Sequence, residues 1–179
     1  MRLRQSSPLA SAALLTAALF ITLPNSASAD LPDLELGVLG GTGIGSSSDD
    51  GSPYRIILGA EAAVIVSNYV VGARYLRTWA EVPEACVDCE RIGDLTSLGL
   101  DLGYEWELAM LHLGPRLGVG WMWDSGADDA VKDIYLDPGA ALDVQIALFV
   151  VGVDVRYRVV PSQSSANSGI ALAKLGLRF

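Results

Sequence analysis

The sequence predicts an all-β fold, an eight-stranded antiparallel up-and-down transmembrane β-barrel with short turns at one end and longer loops at the other. Three observations predict it. Apolar residues recur at every second position through eight segments. Glycine and charge gather on the opposite face of those segments, and the connections between them alternate long and short.

The chain has 179 residues, of which the first 29 read differently from the rest. Arg2 and Arg4 precede an apolar stretch from Leu9 to Leu23, followed by Pro24 and the small-residue triplet Ala27-Ser28-Ala29. That order is the pattern of a secretory signal peptide, with cleavage expected after Ala29. The apolar run is too short and wrongly flanked for a spanning helix. Residues 30–179 are then of a size that suits one domain. None of their apolar runs approaches the ~18–20 residues that a membrane helix requires, which excludes a helical membrane protein. The hydrophobic fraction is nonetheless 51%, so the apolar residues must follow another pattern.

The expected strands are 34–44, 54–66, 69–79, 95–107, 111–123, 137–146, 149–159 and 169–179. The first sets Glu35 against an apolar face, the second Arg55 and Glu61, and the third Arg74. In the fourth, Leu98, Leu100, Leu102, Tyr104 and Trp106 share one face, opposite Gly99, Asp101, Gly103 and Glu105. The fifth carries Leu113, Leu117, Val119, Trp121 and Trp123 against His112, Arg116 and three glycines. Pro115 is a blemish, because it removes one ladder donor from an interior strand. The sixth contributes Asp143. The seventh alternates Phe149, Val151, Val153, Val155 and Tyr157 with Val150, Gly152, Asp154, Arg156 and Arg158. The last ends Ala171, Ala173, Leu175, Leu177, Phe179, against Leu172, Lys174, Gly176 and Arg178.

Across these strands Arg77 is the one charge on the apolar face, while the other face holds the remaining charges and thirteen glycines. A soluble barrel has no reason to concentrate glycine on its solvated side. A small membrane barrel does, because Gly, Asp, Glu and Arg pack in its narrow interior while aliphatic side chains meet lipid. The connections agree: those at 46–53, 80–94, 124–135 and 160–168 are long and polar. Those at Ser67-Asn68, around Leu108–Met110 and at Ala147-Leu148 are very short. Aromatic residues fall near both strand ends, Tyr69, Tyr104, Trp106 and Phe149 at the turns and Tyr75, Trp79, Trp121 and Tyr157 toward the loops, as two interfacial girdles would.

In this pattern and topology residues 30–179 resemble the small eight-stranded outer-membrane β-barrels of Gram-negative bacteria, the group of OmpX and the OmpA transmembrane domain. The resemblance implies an outer-membrane location, contact with outer-membrane lipid and lipopolysaccharide, and recognition by the barrel-assembly machinery through a terminal strand ending in Phe. Leu175, Leu177 and Phe179 fit that assembly signal. Where the family's signal commonly has glycine five residues before its last aromatic, this chain has Lys174, with Gly176 two residues on.

The interior is where chemistry or transport would take place. Glu61, Arg74, Asp101, Arg116, Asp143, Asp154, Arg156 and Lys174 fall near mid-height with alternating sign, and are expected to cross-link as a lumen salt-bridge network, since isolated buried charge costs several kcal/mol. An eight-stranded barrel is wide enough only for side chains, so the lumen reads as a plug, with a small-conductance path as the lesser reading. Enzymes such as lipid A deacylases exist on this architecture and pair His with Ser on an outer face. Here His112 points inward and Gly114, not Ser, follows two residues on, so no active site is expected.

Cys86 and Cys89 lie in the longest loop, and an exported setting favours a disulfide between them over a redox or zinc site. No cofactor or metal is expected. After the signal peptide, 21 acids face 10 bases, and the excess acid sits in the loops. That disfavours nucleic acid and suits a solvated surface or cation-bridged contact with lipopolysaccharide. Two readings remain. One is a monomeric, non-enzymatic outer-membrane barrel serving envelope integrity, adhesion or surface protection. The other is a soluble exported lipocalin-like carrier, which requires Leu98, Leu100 and Trp121 inside and Arg74, Asp101 and Arg116 in water.

Overall fold

The computed structural model describes residues 32–44, 56–79, 94–124, 132–162 and 167–179. They form nine hydrogen-bonded segments: β1 Asp33–Ile44, β2 Ile56–Val66, β3 Tyr69–Trp79, β4 Leu95–Tyr104, β5 Trp106–Leu108, β6 Leu111–Asp124, β7 Lys132–Ile146, β8 Phe149–Arg158 and β9 Ser168–Arg178. β4 and β5 both pair with β6 in one register and make a single stave, so the barrel has eight. Every pairing is antiparallel between neighbours in the chain, and β9 returns to β1. The closure is complete at the chain's last residue: Leu34 N–H donates to Phe179 O at 2.8 Å, and Phe179 N–H donates to Leu34 O at 3.0 Å. Closure leaves no sheet edge with unpaired amides.

Two prolines account for the irregularities. Pro115 stands opposite Tyr104 and cannot donate to it. The expected strand 95–107 is therefore interrupted at Glu105. On its other side Glu105 continues the β3–β4 register into the neighbouring turn: its N–H donates to Asn68 O at 2.8 Å, and Asn68 Nδ2 donates to Glu105 O at 2.7 Å. Pro138 does the same between β7 and β8. That ladder stops at Gly139↔Arg156 and resumes in one bridge, Leu136↔Val159. Sequence reasoning starts this stave at Asp137, whereas β7 begins at Lys132.

The three short connections are two-residue hairpin turns, closed by the pairs Val66↔Tyr69, Leu108↔Leu111 and Ile146↔Phe149. Ser67, Ala109 and Ala147, the first residue of each, adopt φ near +55° to +60°. A primed turn matches the right-handed twist of the strands and requires this positive φ.

Side-chain direction follows the alternation. Val38 and Leu100 are 59% exposed on the outer surface, and Leu98 and Trp121 also face outward. Arg74, Asp101, Arg116, Asp154 and Arg156 are buried within the barrel. These are the directions of a membrane barrel and the reverse of what a lipocalin-like carrier requires.

The lumen is not charged throughout. At the loop end the inward face becomes apolar, where Leu39, Ile57, Leu76, Leu95, Met122, Val160, Ile170 and Leu172 pack together around Tyr135. A smaller cluster of Ala63, Ile65 and Val70 lies at the turn end. The ion-pairing residues occupy the space between.

Candidate functional site in the barrel lumen

The centre of the lumen is built on Arg156 and Arg74. Arg156, from β8, forks onto Asp154 two residues before it, with Nε at 2.8 Å from Oδ1 and Nη2 at 2.7 Å from Oδ2. The same guanidinium crosses the lumen to β4, where it meets both oxygens of Asp101. Arg74, from β3, reaches Asp154 at 2.6 Å, Glu61 at 3.0 Å and Asp101 at 3.1 Å. Planar bidentate pairs of this kind are the geometry for which arginine is suited and lysine is not.

A second tier lies toward the turns. Lys174 Nζ sits among three carboxylates, Asp143 at 2.6 Å, Glu35 at 2.7 Å and Glu61 at 3.4 Å. Arg178 donates through Nε to Glu35 at 2.8 Å and lies 3.2 Å from Glu105, which also pairs with Arg116. His112 Nδ1 is 3.6 Å from Glu105 and 3.3 Å from Arg178. Glu61 joins the tiers because it touches both Arg74 and Lys174. Glu61, Arg74, Asp101, Arg116, Asp143, Asp154, Arg156 and Lys174 are therefore linked into one connected set through Glu35, Glu105 and Arg178.

Glycine on the inward face makes room for this layer. A Cβ on Gly103 would collide with the Arg116 guanidinium, and one on Gly152 would collide with the Asp143 carboxylate. Both side chains lie flat across the neighbouring strand, which a methyl group would forbid.

A third pair stands at the base of the apolar cap. Arg158 meets Asp137 through Nε at 2.9 Å and Nη2 at 2.6 Å, and its guanidinium lies 4.1 Å from the centroid of the Tyr135 ring. Asp137 and Tyr135 belong to the lumen although sequence reasoning leaves both out of it. Their parity matches that of Asp143, which was the available signal: Asp137 opens the expected strand 137–146, whereas Tyr135 falls in the connection expected at 124–135. Conversely, Glu107 has inward parity but is exposed at the turn end, and Arg55 lies outside the described residues.

Leu175, Leu177 and Phe179 project outward from the closing strand and are exposed. Cys86, Cys89 and residues 1–29 lie outside the described residues, as do most of the acidic loop positions. Among the described residues there is no cluster of three or more His, Cys, Asp or Glu side chains placed to hold a metal. Within this buried network four atoms, Arg74 Nε and Nη1, Arg116 Nη1 and Asp143 Oδ1, make no hydrogen bond among the described residues, and the remaining polar atoms of the set are tied to one another.

Solved structures that resemble this chain include outer-membrane β-barrels. The N-terminal β-barrel domain of Pseudomonas aeruginosa OprF aligns with a TM-score of 0.60 at 11% identity, covering 82% of this chain and 97% of that one. Neisserial surface protein A, NspA, aligns with 0.57 at 17% identity, covering 83% and 97%. A major outer membrane protein of Thermus thermophilus aligns with 0.53 at 11% identity, covering 84% and 100%. At these identities the likeness establishes the fold. No family model matches the sequence, and no curated protein matches it.

Proposed function

We propose that the protein is an integral outer-membrane β-barrel, exported by its N-terminal signal peptide, whose lumen is plugged and whose role is non-enzymatic. The observation that carries this reading is the inversion of polarity. Arg156 is 3% exposed in the interior while Leu100 is 59% exposed on the outside. In water, a continuous apolar wall of this kind is an aggregation hazard, whereas in hydrocarbon it is the ordinary surface. The likeness to outer-membrane barrels supports the same location.

Two stacked layers support a closed lumen: ion pairs that leave little room for water, and an apolar cap above them. The role then belongs to the outer surface and the loops: envelope integrity, adhesion or surface protection, by a monomer in contact with lipopolysaccharide. During biogenesis the outward row Leu175, Leu177 and Phe179 is presented to the barrel-assembly machinery. Membrane fractionation followed by heat-modifiable gel migration tests the reading. The barrel should sediment with outer membranes and migrate differently before and after boiling. A detergent-free soluble protein with one migration rate would refute it.

A further inference from the structure

Among the described residues the outer wall is recessed around three alanines. Ala62 and Ala73 are register partners across β2 and β3, and in the next outward row Ala60 is paired with Tyr75. Around these three alanines an open groove of about 680 Å³ runs between Leu36 and Val38 on one side and Tyr75 on the other, with Phe149 at its lower end. Within hydrocarbon such a recess is not filled by water, and leaving it empty forfeits van der Waals contacts. A second copy of the chain does not fill it. A closed dimer centred there would set the same patch against itself, hollow against hollow.

Strand β3 also says what does fill it. Up its outward face come Ala73 in the groove floor, Tyr75 at the wall, then Arg77 and Trp79. Arg77 is the one charged residue among the described outward-facing strand side chains. Its side chain is 47% exposed, Nη2 lies 3.5 Å from the exposed Asp94, and the guanidinium sits 5.4 Å from the Trp79 ring centroid. A lipid-facing cation costs roughly 2–4 kcal/mol at the bilayer centre and little at the interface, so Arg77 marks headgroup level in the leaflet at the loop end. Arg77 lies roughly 7 Å along the strand from Tyr75, within one headgroup of the groove's upper end.

We propose that the groove and Arg77 together bind one phosphate-bearing lipid of the outer leaflet, of the lipid A class. One acyl chain lies over Ala60, Ala62 and Ala73, and a phosphate rests on Arg77. The proposal depends on the membrane reading above. It is tested by titrating the purified mature barrel in detergent with bis-phosphorylated lipid A and with the dephosphorylated form, read by native mass spectrometry. The expected result is one tightly held phosphorylated lipid per barrel and weaker binding of the dephosphorylated form. Arg77→Gln should weaken binding roughly fivefold, as expected for one basic residue at an anionic surface. Arg77→Lys should restore it, and Ala62→Phe, which fills the groove, should weaken it at least as much as Arg77→Gln. Equal binding of both lipids, or titrations unchanged by Arg77→Gln and Ala62→Phe, would overturn the proposal, as would a dimer abolished by Ala62→Phe. Heat-modifiable migration reports the barrel separately from its lipid, and Ala60→Leu replaces Ala62→Phe if the latter fails to fold.

Discussion

Asp137 and Arg158 stand opposite each other across β7 and β8, at 2.6 and 2.9 Å, in the gap that Pro138 opens in the backbone ladder. Side chains thus close the barrel wall where the main chain cannot. Both groups are buried, so removing one leaves the other charged and unpaired. Asp137→Ala is expected to cost about 3–5 kcal/mol, and the double change Asp137→Leu with Arg158→Met less than that single change. Urea unfolding in lipid vesicles, followed by tryptophan fluorescence, measures both.

That pair also marks how far the sequence can be read. Period-two alternation fixes which way Leu100, Arg74 and Lys174 point, because polar and apolar neighbours contrast. Where both neighbours are apolar, as in Ile56-Ile57-Leu58 or Ile170-Ala171-Leu172, the contrast vanishes, and the apolar cap inside the loop end is not legible. Tyr135 escapes for a different reason. It falls in the polar connection expected at 124–135, and the long-range pairing of β7 with β6 carries the strand back to Lys132. The ion partners across the lumen, such as Arg156 with Asp101, depend on registers that a single strand does not encode.

The two-layer lumen has a consequence for conduction. Cutting the central ion pairs with Arg156→Ala should leave single-channel currents in planar bilayers small, because the apolar cap still excludes water. Adding Leu76→Ser, which wets the cap, should raise them. Large currents in the unaltered protein or in Arg156→Ala alone would show that the cap does not seal.

Inward packing makes some glycines irreplaceable. The Tyr135 hydroxyl approaches Gly99 and Gly120 so closely that a Cβ on either would overlap it. Gly99→Ala is expected to destabilise by about 1–3 kcal/mol through overpacking. In the double variant with Tyr135→Phe, which removes the clashing oxygen, part of that loss should return.

The turns carry avoidable strain. Ala147, in a left-handed conformation at φ 55°, incurs a steric penalty on the order of 1 kcal/mol that glycine lacks. Ala147→Gly is therefore expected to stabilise the barrel by up to about 1 kcal/mol. Its unfolding midpoint in urea should rise, and a lower midpoint would mean that the turn is held by something other than its backbone preference.

The outward direction of the apolar rows is what makes this barrel a membrane protein, and site-directed spin labelling in lipid vesicles reads that direction. With Cys86 and Cys89 changed to Ser, single cysteines at Val38, Leu100 and Val151, on β1, β4 and β8, sample three sides of the wall. Each label is predicted to be readily relaxed by oxygen, which concentrates in hydrocarbon, and poorly by a water-soluble nickel chelate. Labels shielded from both reagents, as inside a carrier's pocket, or freely relaxed by the chelate, as in water, would contradict it.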